Sequence, residues 1–209
     1  MALPERCPLC HAGLEEQSVA TRHVYGSERG RGNAFFHCHG CDVRYQYPGL
    51  TAAETERFYA AEFEGFMTGR AGNQGGWENA EAHVRANEPT RLRRMKYLEP
   101  HLIAGGRVLE VGCSSGFMLY PLQEAGHECV GIEPSGLFRD YVKSRGLSVY
   151  DSLAQVEQLV ETPRFDLILH CFVMEHVADP QKFLESQLAL LRPGGKIIFE
   201  VPNVAAPFH

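Results

Sequence analysis

Four of the seven cysteines form two C-x-x-C pairs, the spacing at which two thiolates converge on one metal ion. The pairs are Cys7 with Cys10 and Cys38 with Cys41. Two such pairs complete the tetrahedral shell that zinc prefers, and a shell of four thiolates leaves no open position for water or substrate. We therefore predict a structural Zn²⁺ in a small ribbon that is too short for a core of its own.

Two other interpretations of these cysteines are weaker. A redox pair needs only one C-x-x-C and usually opens a helix of a thioredoxin-like unit, and an odd number of cysteines disfavours a disulfide framework. The 27 residues between the pairs exceed the usual ribbon spacing of about 15 to 20 and, with their glycines, predict a long hairpin tip. Histidines beside the pairs are expected to be bystanders: His11, His37 and His39.

A glycine-containing turn follows the first apolar strand of the C-terminal half. It reads Glu110-Val-Gly112-Cys113-Ser114-Ser115-Gly116. A dinucleotide-binding turn, G-x-G-x-x-G, would need glycine where Ser114 stands, and an acid two residues before the first glycine would repel a pyrophosphate. The sequence therefore predicts a ligand turn that is not shaped for a dinucleotide.

The elements that must position this turn alternate between strands and helices. Strands are predicted at 107–111, 129–133, 147–150, 165–171 and 196–201, with helices at 117–125, 137–144, 152–160 and from Asp179 to the Pro193-Gly-Gly stop. This alternation is typical of a parallel sheet covered on both faces. Ligands of such sheets bind at the carboxyl ends of the strands. Pro121 predicts a kink or a late start in the first of these helices.

The segment before the sheet has a different character. Thr51 and Glu54 form a capping box that opens a short helix to about residue 64. Five glycines within residues 65–76 predict a mobile loop, either closing over a ligand or serving as a plain linker. The basic run at 91–96 alternates with apolar residues and predicts the solvated face of a helix. We thus expect a ribbon at 1–50, a helical linker region with the loop at 51–104 and a sheet domain at 105–209.

Composition limits the classes of function. The 209 residues carry 26 acidic and 20 basic side chains, a net charge of −6, which disfavours nucleic acid as a partner. The longest apolar run is far shorter than the roughly 20 residues of a membrane helix. No basic or apolar leader opens the sequence, so we expect a cytoplasmic protein without membrane association.

The pattern E-x-G-x-x-x-G after a first strand resembles motif I of class I S-adenosylmethionine (SAM) dependent methyltransferases. The resemblance extends from about residue 107 to 203, through segments with the family's spacing: Glu133-Pro134, Phe165-Asp166, Glu175-His176-Val177, Asp179-Pro180 and Leu191-Arg-Pro-Gly-Gly195. The ribbon followed by this domain is similar to methyltransferases of sugar and natural-product pathways, including those that methylate deoxysugar carbons. The resemblance implies a Rossmann-like α/β fold with SAM as cofactor.

The resemblance also implies a set of cofactor contacts. The glycines would let the backbone approach the methionine moiety, and Glu110 would supply negative charge near its ammonium. Glu133 lies 21 residues after Gly112, the distance expected of a carboxylate that grips ribose hydroxyls. Asp151 and Ser152 follow the third strand, where an adenine contact is expected, and the backbone at His170 would lie beside the methionine. The predicted cofactor residues are Glu110, Gly112, Cys113, Ser114, Gly116, Glu133, Pro134, Asp151, Ser152 and His170.

Methyl transfer is an in-line displacement at a sulfonium carbon, and a general base is needed only for hydroxyl or carbon acids. His176 beside Glu175 is the candidate base, because imidazole titrates near neutral pH. The alternative is that this pair forms a structural turn. Some quinone-pathway relatives hold a metal with a glutamate where this sequence has Phe172, so we expect no second metal.

The family sheet has seven strands in the order 3-2-1-4-5-7-6, whereas this sequence ends just after the fifth. We expect a shortened sheet without the last two strands, with a free edge that a partner strand, a second copy or a longer natural chain would cover.

Three functions remain open. The first is methyl transfer, to oxygen or carbon, on a small polar acceptor such as a sugar, sugar nucleotide or natural-product intermediate. The second is methylation of an rRNA base, since a zinc ribbon beside a SAM domain also occurs there. The third is a docking module that binds zinc and SAM without catalysis.

Overall fold

The computed structural model describes residues 3–22, 32–71, 76–77, 79–159 and 164–203. They divide into two compact units, Met1–Thr55 and Glu56–His209.

The first unit contains a three-stranded antiparallel sheet. Its strands are β1 (Gln17–Thr21), β2 (Ala34–Cys38) and β3 (Arg44–Tyr47), in the order β1-β2-β3. Phe36 of the central strand is 1% exposed and stacks on Tyr45 at 6.0 Å between ring centroids. The register pairs Gln17 with Cys38, which anchors the second cysteine pair to the sheet. Most of the predicted hairpin tip, including Gly26 and Gly30, lies outside the described residues.

The predicted capping box is present at the start of α1 (Ala52–Arg57). The Thr51 backbone N–H donates to Oε2 of Glu54 at 2.9 Å, and the Glu54 N–H donates to the Thr51 hydroxyl oxygen at 3.3 Å. The chain continues through a π-helical turn at Phe58–Glu62 into α2 (Phe63–Ala71).

The prediction of a loop at residues 65–76 is wrong for residues 65–71, which are helical. Gly65 and Gly69 face open space, since a Cβ on either would meet nothing within 4 Å. The opposite face carries Phe63 and Phe66, whose rings lie 6.0 and 5.6 Å from that of Phe58. This aromatic packing outweighs the helix penalty of about 1 kcal/mol per glycine. Residues 72–75 lie outside the described residues.

Two short helices precede the large sheet, α3 (Ala80–Ala86) and α4 (Glu88–Leu98). The basic run on α4 is less solvated than predicted, because Arg93 and Arg94 both bind the carboxylate of Glu200, each at 2.7 Å. The Arg94 side chain is only 11% exposed. The acid that neutralises this run lies more than a hundred residues away, so no local pattern could indicate it.

The second unit is built on five parallel strands. They are β4 (Arg107–Val111), β5 (Glu128–Ile132), β6 (Ser148–Tyr150), β7 (Phe165–Cys171) and β8 (Leu191–Glu200). Their spatial order is β6-β5-β4-β7-β8, which is the predicted 3-2-1-4-5. Strand β8 begins earlier than predicted and includes Pro193 to Gly195. Among the described residues, no strand pairs with the outer edge of β8.

Helices cover both faces of this sheet: α5 (Leu119–Glu124), α6 (Gly136–Ser144), α7 (Leu153–Leu159) and α8 (Pro180–Leu190). Successive residues along β4 belong to the two core layers on opposite faces of the sheet. Val108 packs with α4, α5 and α6, whereas Leu109 packs with α7 and α8. Helix α5 starts late, as predicted, so Pro121 lies in its first turn, where no helical hydrogen bond is lost.

No described helix is both long enough and apolar enough to cross a bilayer.

Candidate functional site

The four paired cysteines of the first unit converge on one point. The sulfurs of Cys7 and Cys41 lie 3.7 Å apart, those of Cys10 and Cys38 lie 3.6 Å apart, and all four fall within 4.8 Å of one another. A tetrahedral zinc with Zn–S bonds of 2.3 Å separates its sulfurs by about 3.8 Å. The donor set and its geometry therefore fit a structural zinc ion.

Both cysteine pairs lie on turns of the same construction. The backbone N–H of Cys7 donates to the Ala12 carbonyl at 2.8 Å, and that of Cys38 donates to the Val43 carbonyl at 3.0 Å. Each turn places one residue in the left-handed region directly after its second cysteine, His11 (φ 62°) and Asp42 (φ 59°). Two equivalent turns that face one another are the arrangement a single shared ion requires.

The histidines beside the cysteines have other partners. His37 Nε2 lies 2.6 Å from Oδ1 of Asp42, and His39 Nε2 lies 3.0 Å from the Ser18 hydroxyl. Within the described residues, the cluster that could hold a metal consists of the four cysteines alone.

The glycine-containing turn of the second unit lies at the carboxyl end of β4. Gly112 and Gly116 have φ of 74°, and Ser114 between them has φ of 45°. A Cβ on Gly112 would lie 2.8 Å from Cγ2 of Val173, so the turn admits no side chain there. The backbone N–H of Gly112 donates to the Ile132 carbonyl at 2.8 Å, which ties the turn to the end of β5.

Glu133 joins this turn to the next one. The carboxylate is 7% exposed. Its Oε2 accepts a hydrogen bond from the Ser114 backbone N–H at 2.7 Å, and its Oε1 accepts one from the Ser135 N–H at 2.8 Å. Each oxygen of a carboxylate has two lone pairs, so a carboxylate can accept hydrogen bonds from backbone N–H groups and from a ligand at the same time. Pro134 follows, and its carbonyl accepts from Arg139 Nη1 at 2.8 Å.

Glu110 is buried, and one of its carboxyl oxygens lacks a hydrogen-bond partner. The residue is 3% exposed, and within the described part of the chain its Oε2 has no hydrogen-bond partner. Burial raises the pKa of this carboxyl well above its usual range; the charge of Arg94 opposes the rise and that of Glu133 adds to it. A buried carboxyl oxygen without a partner, two residues before the glycine-containing turn, is a group that a cationic ligand would satisfy. The site therefore fits a cofactor that carries an ammonium.

The remaining predicted cofactor residues divide into two kinds. Asp151 and Ser152 lie on the surface after β6, where the Ser152 hydroxyl donates to Oδ1 of Asp151 at 2.8 Å. The ring of His170 is fully buried against Phe183 of α8 and Phe199 of β8, each at 5.2 Å between centroids. Burial lowers the His170 pKa to about 4. Only its backbone is left for a cofactor contact.

Glu175 and His176 form a turn just after β7. The His176 Nε2 lies 3.8 Å from Oε1 of Glu175, and the imidazole side chain is half exposed. The ring of Tyr59 lies 5.9 Å from that of His176. Burial, with a smaller contribution from the charge of Glu175, raises the pKa of Tyr59 to about 12. Sequence reasoning missed Tyr59, because its π-helical turn is brought here only by the tertiary fold.

His83 is a second residue that the sequence did not indicate. Its Nδ1 lies 2.8 Å from the hydroxyl of Ser115, inside the glycine-containing turn. The ring is 3% exposed, and burial lowers its pKa to about 4.

A cavity of about 450 Å³ opens elsewhere in this unit, among residues that include Arg107, Glu128 and Phe165 at the amino ends of three strands. None of the described residues that line it belongs to the predicted site. The turn, the buried acids and the Glu175-His176 pair lie instead toward the carboxyl ends of the strands, where ligands of parallel sheets bind.

Part of the chain is similar to known proteins. Residues 81–208 match a family model described as a methyltransferase domain. The ubiquinone biosynthesis O-methyltransferase of Coxiella burnetii is 33% identical over 133 residues, which are 61% of this chain and 57% of the relative. The chain thus spans little more than half the length of this curated relative.

Solved structures give weaker similarity. A SAM-dependent methyltransferase from Archaeoglobus fulgidus is 20% identical with a TM-score of 0.49, over 57% of this chain and 55% of that one. One from Geobacter sulfurreducens, solved with S-adenosylhomocysteine, is 22% identical with a TM-score of 0.46, over 68% and 55% of the two chains. The family match covers more than half of the 209 residues, and the chain belongs to the methyltransferase-domain family.

Proposed function

We propose that this protein binds SAM at the carboxyl edge of its parallel sheet and transfers the methyl group to a small polar acceptor. The observation that carries the proposal is the glycine-containing turn tied to Glu133, with the buried Glu110 beside it, whose Oε2 lacks a hydrogen-bond partner in the described structure. This combination suits a ligand that has both ribose hydroxyls and a positive charge.

Each residue of the site has a separate role in holding the cofactor. Glu110 faces the ammonium of the methionine moiety, and Glu133 accepts hydrogen bonds from the ribose hydroxyls. The turn from Gly112 to Gly116 lets the backbone lie close to the methionine moiety. Asp151 and Ser152 contact the adenine. The bound cofactor supplies the methyl group and a neutral thioether leaving group. The protein aligns the acceptor with the methyl carbon and excludes water.

His176 takes the proton of the acceptor hydroxyl. Its imidazole side chain is half exposed, which leaves it open to a substrate, and Glu175 lies close enough to stabilise the imidazolium that forms. Tyr59 stands beside His176 and keeps its proton at neutral pH, since its pKa is raised. Its hydroxyl is therefore a donor toward the acceptor or toward Glu175.

The acceptor class follows from two arguments. The resemblance to sugar and natural-product methyltransferases favours a sugar, sugar nucleotide or related intermediate. A second candidate is a planar ring hydroxyl, favoured by the aromatic rings of Tyr59 and Phe63, 5.2 Å apart, on the side of His176. The name of the relative, an O-methyltransferase of ubiquinone biosynthesis, supports oxygen as the methylated atom in this second case.

Methylation of an rRNA base is less well supported. Two carboxylates neutralise half of the four positive charges on α4, because Arg91 binds Glu88 at 2.7 Å and Arg93 and Arg94 share Glu200. A side chain already paired with a carboxylate contributes little to phosphate binding.

We also propose that Cys7, Cys10, Cys38 and Cys41 hold a structural Zn²⁺ that stabilises the first unit. None of the seven cysteines forms a disulfide bond, which suits a reducing compartment such as the cytoplasm.

A methyl-transfer assay tests the proposed function. Radiolabelled SAM is incubated with the protein and, separately, a sugar nucleotide, a catechol and an rRNA fragment. We expect label in one of the small acceptors and at least a hundredfold slower transfer by His176→Asn, with Lys182→Ala on exposed α8 surface as control. Label in the rRNA fragment alone would contradict the small-acceptor proposal. Cofactor binding without transfer to any acceptor would favour the docking module.

A further inference from the structure

The glycine-containing turn is held by a residue from outside the sheet. Nδ1 of His83, on α3, and the hydroxyl of Ser115 lie 2.8 Å apart, and both residues are buried. The two positions are 32 residues apart in the sequence. A buried polar pair of this kind exists only if the two elements keep a fixed relative position.

The chain around α3 is built to place this imidazole. Asn79 caps the helix by accepting hydrogen bonds from the N–H groups of Glu81 and Ala82. Gly76 has φ of 70°, and a Cβ there would lie 2.3 Å from the backbone N of His83, so the chain passes directly against α3. The next residue, Trp77, then packs its ring 4.5 Å from the imidazole.

The ring of His83 is enclosed by aromatic side chains. Besides Trp77, it contacts Phe138 of α6 at 5.0 Å and Phe117 at 5.8 Å between centroids. These contacts limit the movement of the imidazole ring. Its hydrogen bond therefore holds the Ser115 hydroxyl in one position.

Ser115 lies where the turn is conformationally costly. Its neighbours Ser114 and Gly116 both have positive φ, and a non-glycine residue such as Ser114 adopts that region at a cost. The contacts that hold the turn against this cost include hydrogen bonds from the Gly112 and Cys113 N–H groups to the Ile132 carbonyl and from the Ser114 N–H to Glu133. The contact of His83 with the Ser115 hydroxyl adds a tie to α3.

We propose that His83 is a positioning residue for cofactor binding, acting through Ser115 to hold the turn from Gly112 to Gly116 in its binding conformation. The inference rests on the proposed SAM site. It also predicts that Trp77, the single tryptophan of the chain, reports on cofactor binding through the His83 ring.

Calorimetric titration of the full chain with S-adenosylhomocysteine tests the proposal. We expect Ser115→Ala to weaken binding about fivefold and His83→Leu about tenfold, and the double variant to bind no more weakly than His83→Leu. His83→Asn carries a donor near the position of Nδ1 and should recover binding to within about threefold of wild type. Ser144→Ala is the control, because that hydroxyl lies at the exposed end of α6 and bonds only the Tyr141 carbonyl in the described structure. Trp77 fluorescence should change on titration of the wild type and not of His83→Leu.

The possible results distinguish a failure of the His83 proposal from a failure of the proposed SAM site. Wild-type protein that binds no S-adenosylhomocysteine overturns the SAM site and the role of His83 together. Wild-type binding with unchanged affinity in Ser115→Ala and His83→Leu overturns the role of His83 alone. If His83→Leu does not fold, Ser115→Ala decides, since it removes only the hydroxyl partner, and unchanged affinity in that variant overturns the proposal.

Discussion

Replacing Glu133 by glutamine removes a negative charge from a buried carboxylate that two backbone N–H groups approach, at 2.7 and 2.8 Å. Glutamine has one oxygen and one NH₂ group. In either orientation of the amide, its NH₂ group faces the backbone N–H of Ser114 or that of Ser135. At that position two donors then face each other, and one hydrogen bond is lost.

The magnitude follows from those two bonds. A hydrogen bond to a charged group contributes about 1.5–3 kcal/mol, and leaving a buried N–H unpaired costs about 1–3 kcal/mol. The variant also turns the remaining bond into a neutral one. We therefore expect Glu133→Gln to lower the free energy of unfolding of the second unit by about 3 kcal/mol.

Urea denaturation followed by Trp77 fluorescence measures this change, because the tryptophan lies in the second unit. Glu128→Gln is the matched control, since that side chain is 63% exposed and pairs only with Arg107 among the described residues. The control should change the unfolding free energy by less than about 1 kcal/mol. A loss of under about 0.5 kcal/mol in Glu133→Gln would refute the view that Glu133 holds the two turns together.

Three further predictions test other parts of the account. Gly112→Ala should lower the unfolding free energy by about 2 kcal/mol or more, since its Cβ meets Val173; Gly105→Ala, left-handed but in open space, should cost less in the same denaturation assay. Atomic absorption should find about one zinc ion per chain. Removing it with a chelator, or by Cys38→Ser, should abolish the cooperative unfolding of the first unit; a metal-free first unit that still unfolds cooperatively would contradict the structural role of zinc. Burial lowers the pKa of His170 from about 6.5 to about 4, so its contribution to stability is full above about pH 6.5 and is lost as the pH drops toward 4, by at most about 3 kcal/mol. His170→Leu should make the urea midpoint fall less steeply over this range and leave the part due to His83, whose pKa is also about 4; an unchanged profile would show that His170 does not contribute to it.

The sequence predicted those features that local patterns encode. The cysteine cluster and the capping box at Thr51 were accessible, because each depends on residues close together in the sequence. The glycine-containing turn was accessible for the same reason. The order of the five strands was implied by the family resemblance.

The features that the sequence did not predict depend on distant contacts. The helix over Gly65 and Gly69 forms because one aromatic face outweighs two unfavourable propensities. The burial of Arg94 depends on Glu200, and the position of His83 depends on Ser115. Neither pair has a spacing that a sequence pattern reveals. The sequence therefore predicted the site residues at the strand ends but not those on the helices that pack against them.

Calorimetric titration of the purified chain with S-adenosylhomocysteine tests the central claim most directly, with Glu133→Gln measured beside the wild type. The account predicts saturable one-to-one binding to the wild type and affinity at least tenfold weaker in the variant, at a temperature where both are folded. Absence of binding to the folded wild type, or equal binding by the variant, would contradict the assignment of the cofactor site to this edge of the sheet.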